Sequence, residues 1–206
     1  KEMKKITIIF GTQMGTAEGC AIQISTLLTA CNLENEVIDM DDYDHARLSE
    51  PGLLIVATST TGNGVPPSNA VALHSHLKND APDCSGRRFA VLSLGDSFRT
   101  HFAQCGKDFD RMLEDLGGER IFDRIDCDGV VEAPLRQFKN NLLDYFERES
   151  ERYPMFKRQE ESPQPEAKSS LSNNEAANSD SESNHSRKRG ILSRVKRRVV
   201  NRIRRL

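Results

Sequence analysis

The sequence predicts a doubly wound α/β domain, a parallel sheet between two helix layers, followed by a polar linker and a basic segment. Three observations carry that reading. Short β-rich runs alternate with longer segments of helical period through the first 151 residues. The runs ITIIF, LLIVAT and FAVLSL are apolar on consecutive residues, as strands buried on both faces must be. The stretch FGTQMGTAE, which follows the first strand, has the composition of a phosphate-holding turn that opens a helix.

The elements follow in order. Lys5 to Phe10 is a β-rich run and the first strand; Ala17 to Cys31 keeps a helical period and carries the chain back. Glu36 to Met40 and Leu53 to Thr58 are the second and third strands, too short and too β-rich for helices. Ala70 to Asn79 is the second helix, Phe89 to Leu94 the fourth strand and Phe102 to Leu116 the third helix. Glu119 to Asp126 completes five strands, and Pro134 to Glu151 is the last helix.

In such sheets ligands bind beyond the carboxyl ends of the strands, where strand order reverses, which singles out the loops after the first, third and fourth strands. In the first loop Gly11 and Gly15 let the backbone curl, Thr12 and Thr16 offer hydroxyls, and the helix points free N–H groups outward. Thr16, Ala17 and Glu18 follow Gly15 where a triphosphate loop needs lysine, so that class is excluded. Gly11, Gly15 and Gly19 are four apart, which excludes the dinucleotide fingerprint. One terminal phosphomonoester fits; the plain alternative is a strand-to-helix turn capped by Thr16. The second loop, Thr58 to Pro67, combines hydroxyls, two glycines and two prolines, giving fixed, exposed backbone that a flat ligand can approach. The third, Gly95 to Phe102, places Phe98, Arg99, His101 and Phe102 near the same rim. Together the loops read as the site of a mononucleotide with a planar ring.

At this point the chain resembles the flavodoxin family. FGTQMGTAEG, ATSTTGNGVPPSNA and LSLGDSFRTHFAQCGKDFDRMLEDLGGERIFDRIDCD are similar to its three FMN-binding segments, above all in the FMN domains of diflavin reductases of the sulfite reductase flavoprotein type. The resemblance covers residues 4 to about 150 and implies a flavodoxin-like fold of strand order 2-1-3-4-5. It implies that Thr12, Gln13, Met14, Gly15, Thr16 and Ala17 hold the FMN phosphate. Thr60, Thr61, Gly62, Asn63 and Gly64 would lie along the isoalloxazine, with the Gly62 carbonyl near its N5. Gly95, Asp96, Phe98, Arg99, His101 and Phe102 would close the other face, with Asp126 and Asp128 in an acidic segment near the site. Relatives place a stacking Tyr where this chain has Arg99, and Gln or Tyr at Thr61. The Arg99 plane can stack on the ring, and its charge favours an anionic reduced flavin, so a weaker grip and a raised potential are expected. Asn63, where relatives carry an acid, pushes the same way. Phe98 is the other candidate stacking ring.

Other polar groups are expected to be structural. His74 and His76 are two apart on one helix, face different directions and read as surface residues rather than a metal pair. Cys105 reads as a packed side chain. The run Asp39, Asp41, Asp42 and Asp44 is either a solvated face or a dock for a basic redox partner. The five cysteines form no C-x-x-C pair, so neither zinc nor a disulfide framework is expected. No apolar run approaches the roughly 18 residues of a membrane span, and KEMKK leads straight into a strand. A reducing, cytoplasmic setting is the expectation.

Charge divides the chain. Residues 1–156 carry 16 Lys+Arg against 25 Asp+Glu, residues 157–186 carry 3 against 6, and residues 187–206 carry 10 against none. The near-neutral total of −2 thus hides an acidic body and a basic end. Residues 157–186 read as a disordered polar linker. In RKRGILSRVKRRVVNRIRRL, Ile191, Leu192, Val195, Val199, Ile203 and Leu206 recur at helical spacing, the pattern of a basic amphipathic helix. Its candidate partners are an anionic membrane, which would make the protein peripheral there, nucleic acid, or an acidic protein face. The 20 residues after the linker cannot supply the FAD and NADPH domains of a diflavin enzyme. The expected function is therefore an electron carrier, loaded by an NAD(P)H-dependent flavoprotein reductase and emptied by a redox acceptor protein. The alternative is a non-redox binding or regulatory module that has lost FMN and acts through its basic end.

Overall fold

Apolar residues in unbroken runs leave no strand face to turn to water, and the chain buries both faces between helices. The computed structural model describes residues 6–158. Its elements are β1 Ile6–Gly11, α1 Thr16–Ala30, β2 Asn35–Asp39, β3 Gly52–Ser59, α2 Val71–Asn79, β4 Arg87–Gly95, α3 Gln104–Asp115, β5 Glu119–Arg120, β6 Ile125–Asp128 and α4 Glu132–Arg148. All strands pair in parallel in the order β2-β1-β3-β4, with β5 and β6 sharing the fifth position against β4. This is the expected 2-1-3-4-5 sheet.

Alternation along the strands sorts the core into two layers. Ile6, Ile8 and Phe10, Leu53, Ile55 and Ala57, and Ala90, Leu92 and Leu94 pack with Ile24 and Leu28 of α1 and Phe138, Leu142 and Phe146 of α4. Ile9, Leu54, Val56, Phe89 and Val91 face Leu73 and Leu77 of α2 and Phe109 and Leu113 of α3. The order reverses at β1 and β3, so the chain leaves these neighbours toward opposite faces, and ligands of such sheets bind above the carboxyl ends at this switch point.

The structure differs locally from the sequence expectation at four places. The single strand expected over Glu119 to Asp126 is broken, because Phe89 pairs with Arg120 and Leu92 with Ile125, leaving two more residues on the outer strand than on β4. The extra length turns Phe122 inward, edge-on to Phe138 at 5.2 Å. A 3₁₀ turn at His45–Ser49 is held by the Asp44 carboxylate, which accepts from the Ala46 amide at 3.0 Å. A second, Ser68–Ala70, leads into α2. After α4 the chain stays on the body: Phe156 lies 5.7 Å from Phe146, the Lys157 amide donates to the Cys31 carbonyl, and Arg158 pairs with Asp144 and Glu147. The rest of the expected linker and the basic segment 187–206 lie outside the described residues. Among the described residues no helix is long and apolar enough to cross a membrane.

Candidate cofactor site

The first loop joins β1 to α1. Gly15 occupies the N-cap position of α1 at φ +85°, a conformation costly for any residue with a Cβ, and the reversal lets the Thr12 hydroxyl accept from the Gly15 amide at 2.9 Å. Thr16 is thus the first residue of α1 rather than its cap, and no side chain caps this helix. The amides of Gln13, Met14, Thr16, Ala17 and Glu18 have no acceptor among the described residues. They cluster at the positive end of a 15-residue helix, with the exposed Thr16 hydroxyl beside them. That donor set fits a phosphate held by backbone alone.

The second loop follows β3. Thr61 and Val65 exchange backbone hydrogen bonds across a tight turn, the Thr61 amide to the Val65 carbonyl at 2.9 Å and the reverse at 3.0 Å. The Thr61 hydroxyl is spent on the Val65 and Pro66 carbonyls, at 3.1 and 3.3 Å. Gly62 and Asn63 form the exposed tip. The Thr60 hydroxyl turns the other way and accepts from the Cys105 amide at 3.1 Å, supplying the start of α3 with an acceptor.

The third loop follows β4. Asp96 accepts from the Phe98 amide at 2.9 Å, and the Arg99 guanidinium approaches the same carboxylate at 3.7 Å. Asp128, at the end of β6, accepts from the Ser97 amide at 2.8 Å, and the Gly129 amide bonds the Gly95 carbonyl. Hydrogen bonds from the Ser97 side chain and amide hold the Asp128 carboxyl below its usual range. Lys107 donates to the Phe102 carbonyl at 2.8 Å and lies over its ring.

The structure brings these loops together. The first meets the turn that follows the second through the Asn69 carboxamide, which accepts from the Thr12 amide at 2.9 Å. The second meets the third where Gly64 lies so close to His101 that a Cβ on the glycine would fall 2.6 Å from the histidine Cβ. Phe98 is 99% exposed and Met14 89% exposed, so neither is held by packing and both stand free at the rim. Asp126 is turned from the site toward Arg124, at 2.7 Å, leaving Asp128 as the acid that touches the third loop.

Residues expected to be bland are more engaged than that. His74 is half-buried against Asp108, at 3.4 Å, and Phe109; His76 stacks on His45 at 4.7 Å and pairs with Asp80, at 2.7 Å. Neither is a plain surface residue, and among the described residues no cluster suits a metal ion. All five cysteines are free and buried, and burial pushes the Cys105 thiol up to about 12. Asp39 holds Asn69 and the Asp41 amide, while Asp41, Asp42 and Asp44 are exposed. The sequence reading passed over Asn69, although it stands in the segment ATSTTGNGVPPSNA, directly after the two prolines and a serine.

Comparison with known proteins shows the family and the fold. The flavodoxin family pattern matches residues 8–139. The sulfite reductase [NADPH] flavoprotein alpha-component of Escherichia coli is 42% identical over 144 residues, covering 69% of this chain and 24% of that protein. The chain thus spans about a quarter of the length of the curated relatives it matches. A flavodoxin from Streptococcus pneumonia superposes with a TM-score of 0.61 at 23% identity, covering 70% of this chain and 99% of that one. A variant flavodoxin from Pseudomonas aeruginosa gives 0.58 at 28%, covering 67% and 98%. Flavodoxins bind FMN, and the site described above has the backbone donors its phosphate requires. By its sequence pattern over residues 8–139 and its fold, this chain belongs to the flavodoxin family.

Proposed function

We propose that this chain binds FMN above β1, β3 and β4 and carries one or two electrons from an NAD(P)H-dependent flavoprotein reductase to a redox acceptor protein. The observation that carries the reading is the group of five amides at Gln13, Met14, Thr16, Ala17 and Glu18, at the start of α1, that have no acceptor among the described residues. The 42% identity to a sulfite reductase flavoprotein supports it. FMN, when bound, supplies reversible one- and two-electron chemistry.

The chain's own part is to hold, orient and tune. Thr12 to Ala17 would hold the phosphate, with the Thr12 hydroxyl fixing the turn rather than only touching the ligand. Thr60 to Gly64 would present backbone along the ring, a role suited to a turn whose hydroxyls are already bonded to protein. Gly95, Asp96, Phe98, Arg99, His101 and Phe102 would close the other side, with Asp128 fixing their loop. Arg99 favours a negatively charged reduced ring, and Asp96 at 3.7 Å offsets part of that charge.

The purified protein tests the reading. A yellow preparation that releases one FMN per chain on denaturation, and whose flavin an NADPH-dependent flavoprotein reductase reduces, is the expected result. A colourless protein that FMN cannot reconstitute overturns it and favours the non-redox binding module. The basic segment 187–206 is proposed to add affinity for an anionic surface. Sedimentation with phosphatidylserine vesicles, a duplex DNA shift assay and an acidic protein column, each over a salt series, separate membrane, nucleic acid and protein as that surface.

A further inference from the structure

Asn69 joins three chain segments through every polar atom of its side chain. Its Oδ1 accepts from the Thr12 amide at 2.9 Å. Its Nδ2 donates to the Asp39 carboxylate at the end of β2, at 3.0 Å, and to the Phe10 carbonyl near the end of β1, at 3.4 Å. The direction of the carboxamide follows from its partners: flipped, it would set its oxygen against a carboxylate and a carbonyl and its NH₂ against an N–H. One residue earlier, the Ser68 amide leans on the Gln13 side-chain oxygen at 3.5 Å, so the turn before α2 touches the phosphate-holding loop twice.

The arrangement has a chemical consequence. By taking the Thr12 amide, Asn69 fixes the point where the first loop leaves β1, and with it the aim of the free amides at Gln13, Met14, Thr16, Ala17 and Glu18. It also interposes a neutral group that consumes the Asp39 carboxylate, which would otherwise lie beside an anion-binding loop. We propose that Asn69 is a positioning residue for the phosphate end of the cofactor site, setting affinity for the ligand's phosphomonoester rather than for its ring. The proposal rests on the FMN reading and names a residue outside the ligand's own contacts.

Binding of FMN and of riboflavin, which lacks the phosphate, tests it by fluorescence quenching on the full chain. With Asn69→Ala, FMN affinity is expected to fall about tenfold, the scale of losing a part-buried hydrogen-bonded acceptor, while riboflavin affinity changes less than about twofold. Asn69→Asp keeps the acceptor for Thr12 but sets a second carboxylate 3.0 Å from Asp39, the charged group that contacts Asn69 among the described residues. At neutral pH this variant is expected to bind FMN as poorly as the alanine variant. As pH falls toward about 5, one proton shared between the carboxylates restores the donor, and the FMN affinity ratio of variant to wild type climbs back toward unity. Equal losses for FMN and riboflavin, or a ratio flat in pH for Asn69→Asp, would overturn the proposal. A wild-type protein that binds neither flavin overturns the FMN reading instead, so the two failures are distinguishable.

Discussion

Gly64 carries the contact between two site loops in one missing side chain. It lies at φ +91°, and a Cβ there would meet His101 Cβ at 2.6 Å and Cγ at 3.0 Å. Gly64→Ala therefore combines backbone strain with a clash that only loop displacement relieves. A stability loss of about 1–3 kcal/mol in urea unfolding and an FMN affinity at least about tenfold weaker are the expected outcomes. Asp128 governs the same rim through charge. Its carboxyl, held below the ordinary 3.8 by Ser97, contributes order that is present above that value and lost as pH falls through its folded value. Protection of the Ser97 amide in hydrogen exchange should be full above the ordinary carboxyl value and be lost only as pH falls through the lower folded value; in Asp128→Asn, whose oxygen still accepts, it should be weaker and independent of pH. Glycines and hydroxyls at strand ends were legible in the sequence because few other residues suit such turns. Asn69 was not, because an asparagine in a loop is ordinary until the fold sets Asp39, Phe10 and Thr12 around it.

Elements were legible where burial alone decides them. Runs buried on both faces announce β1, β3 and β4, and the period of the helices follows from which layer each one covers. The fifth strand was misjudged in its continuity because register, not composition, breaks it: two surplus residues must leave the ladder, and Phe122 finds a better place against Phe138. What holds the broken strand is α3. The Asp110 carboxylate, 6% exposed, accepts two bonds from Arg120 at 2.8 and 3.1 Å and one from Arg124 at 2.9 Å. Arg120 also reaches Glu114, and Arg124 reaches Asp126, so each arginine keeps a second acid if Asp110 is lost. Asp110→Asn is accordingly expected to cost about 2 kcal/mol, below the range for stranding a buried charge outright. Amides of β6 should lose hydrogen-exchange protection more than those of β1. Exposed Asp115, changed to Asn, serves as the control and should leave both unchanged.

At the scale of the whole molecule, composition already separated an acidic body from a basic end, since the charges of 187–206 have no acidic counterpart in their own segment. Redox partners were not legible, because a docking face gathers residues from several distant loops and only the fold says which. The division makes a sharp expectation. Within residues 6–158 both core layers are complete and the last residues bond back to Cys31, Asp144 and Glu147. A chain ending at Arg158, with 18 Lys+Arg against 25 Asp+Glu, should therefore keep its unfolding midpoint and its FMN affinity. Saturation with FMN at 100 times its dissociation constant should stabilise both forms equally, by about 2.7 kcal/mol. Binding to phosphatidylserine vesicles, DNA or an acidic protein at low salt should be lost in the short form alone, and in the full chain should fall steeply with ionic strength. If the truncated protein bound an anionic surface as tightly as the full chain, the basic segment would have no part in that binding. The affinity would then belong to the body, whose balance is acidic and whose rim carries Arg99.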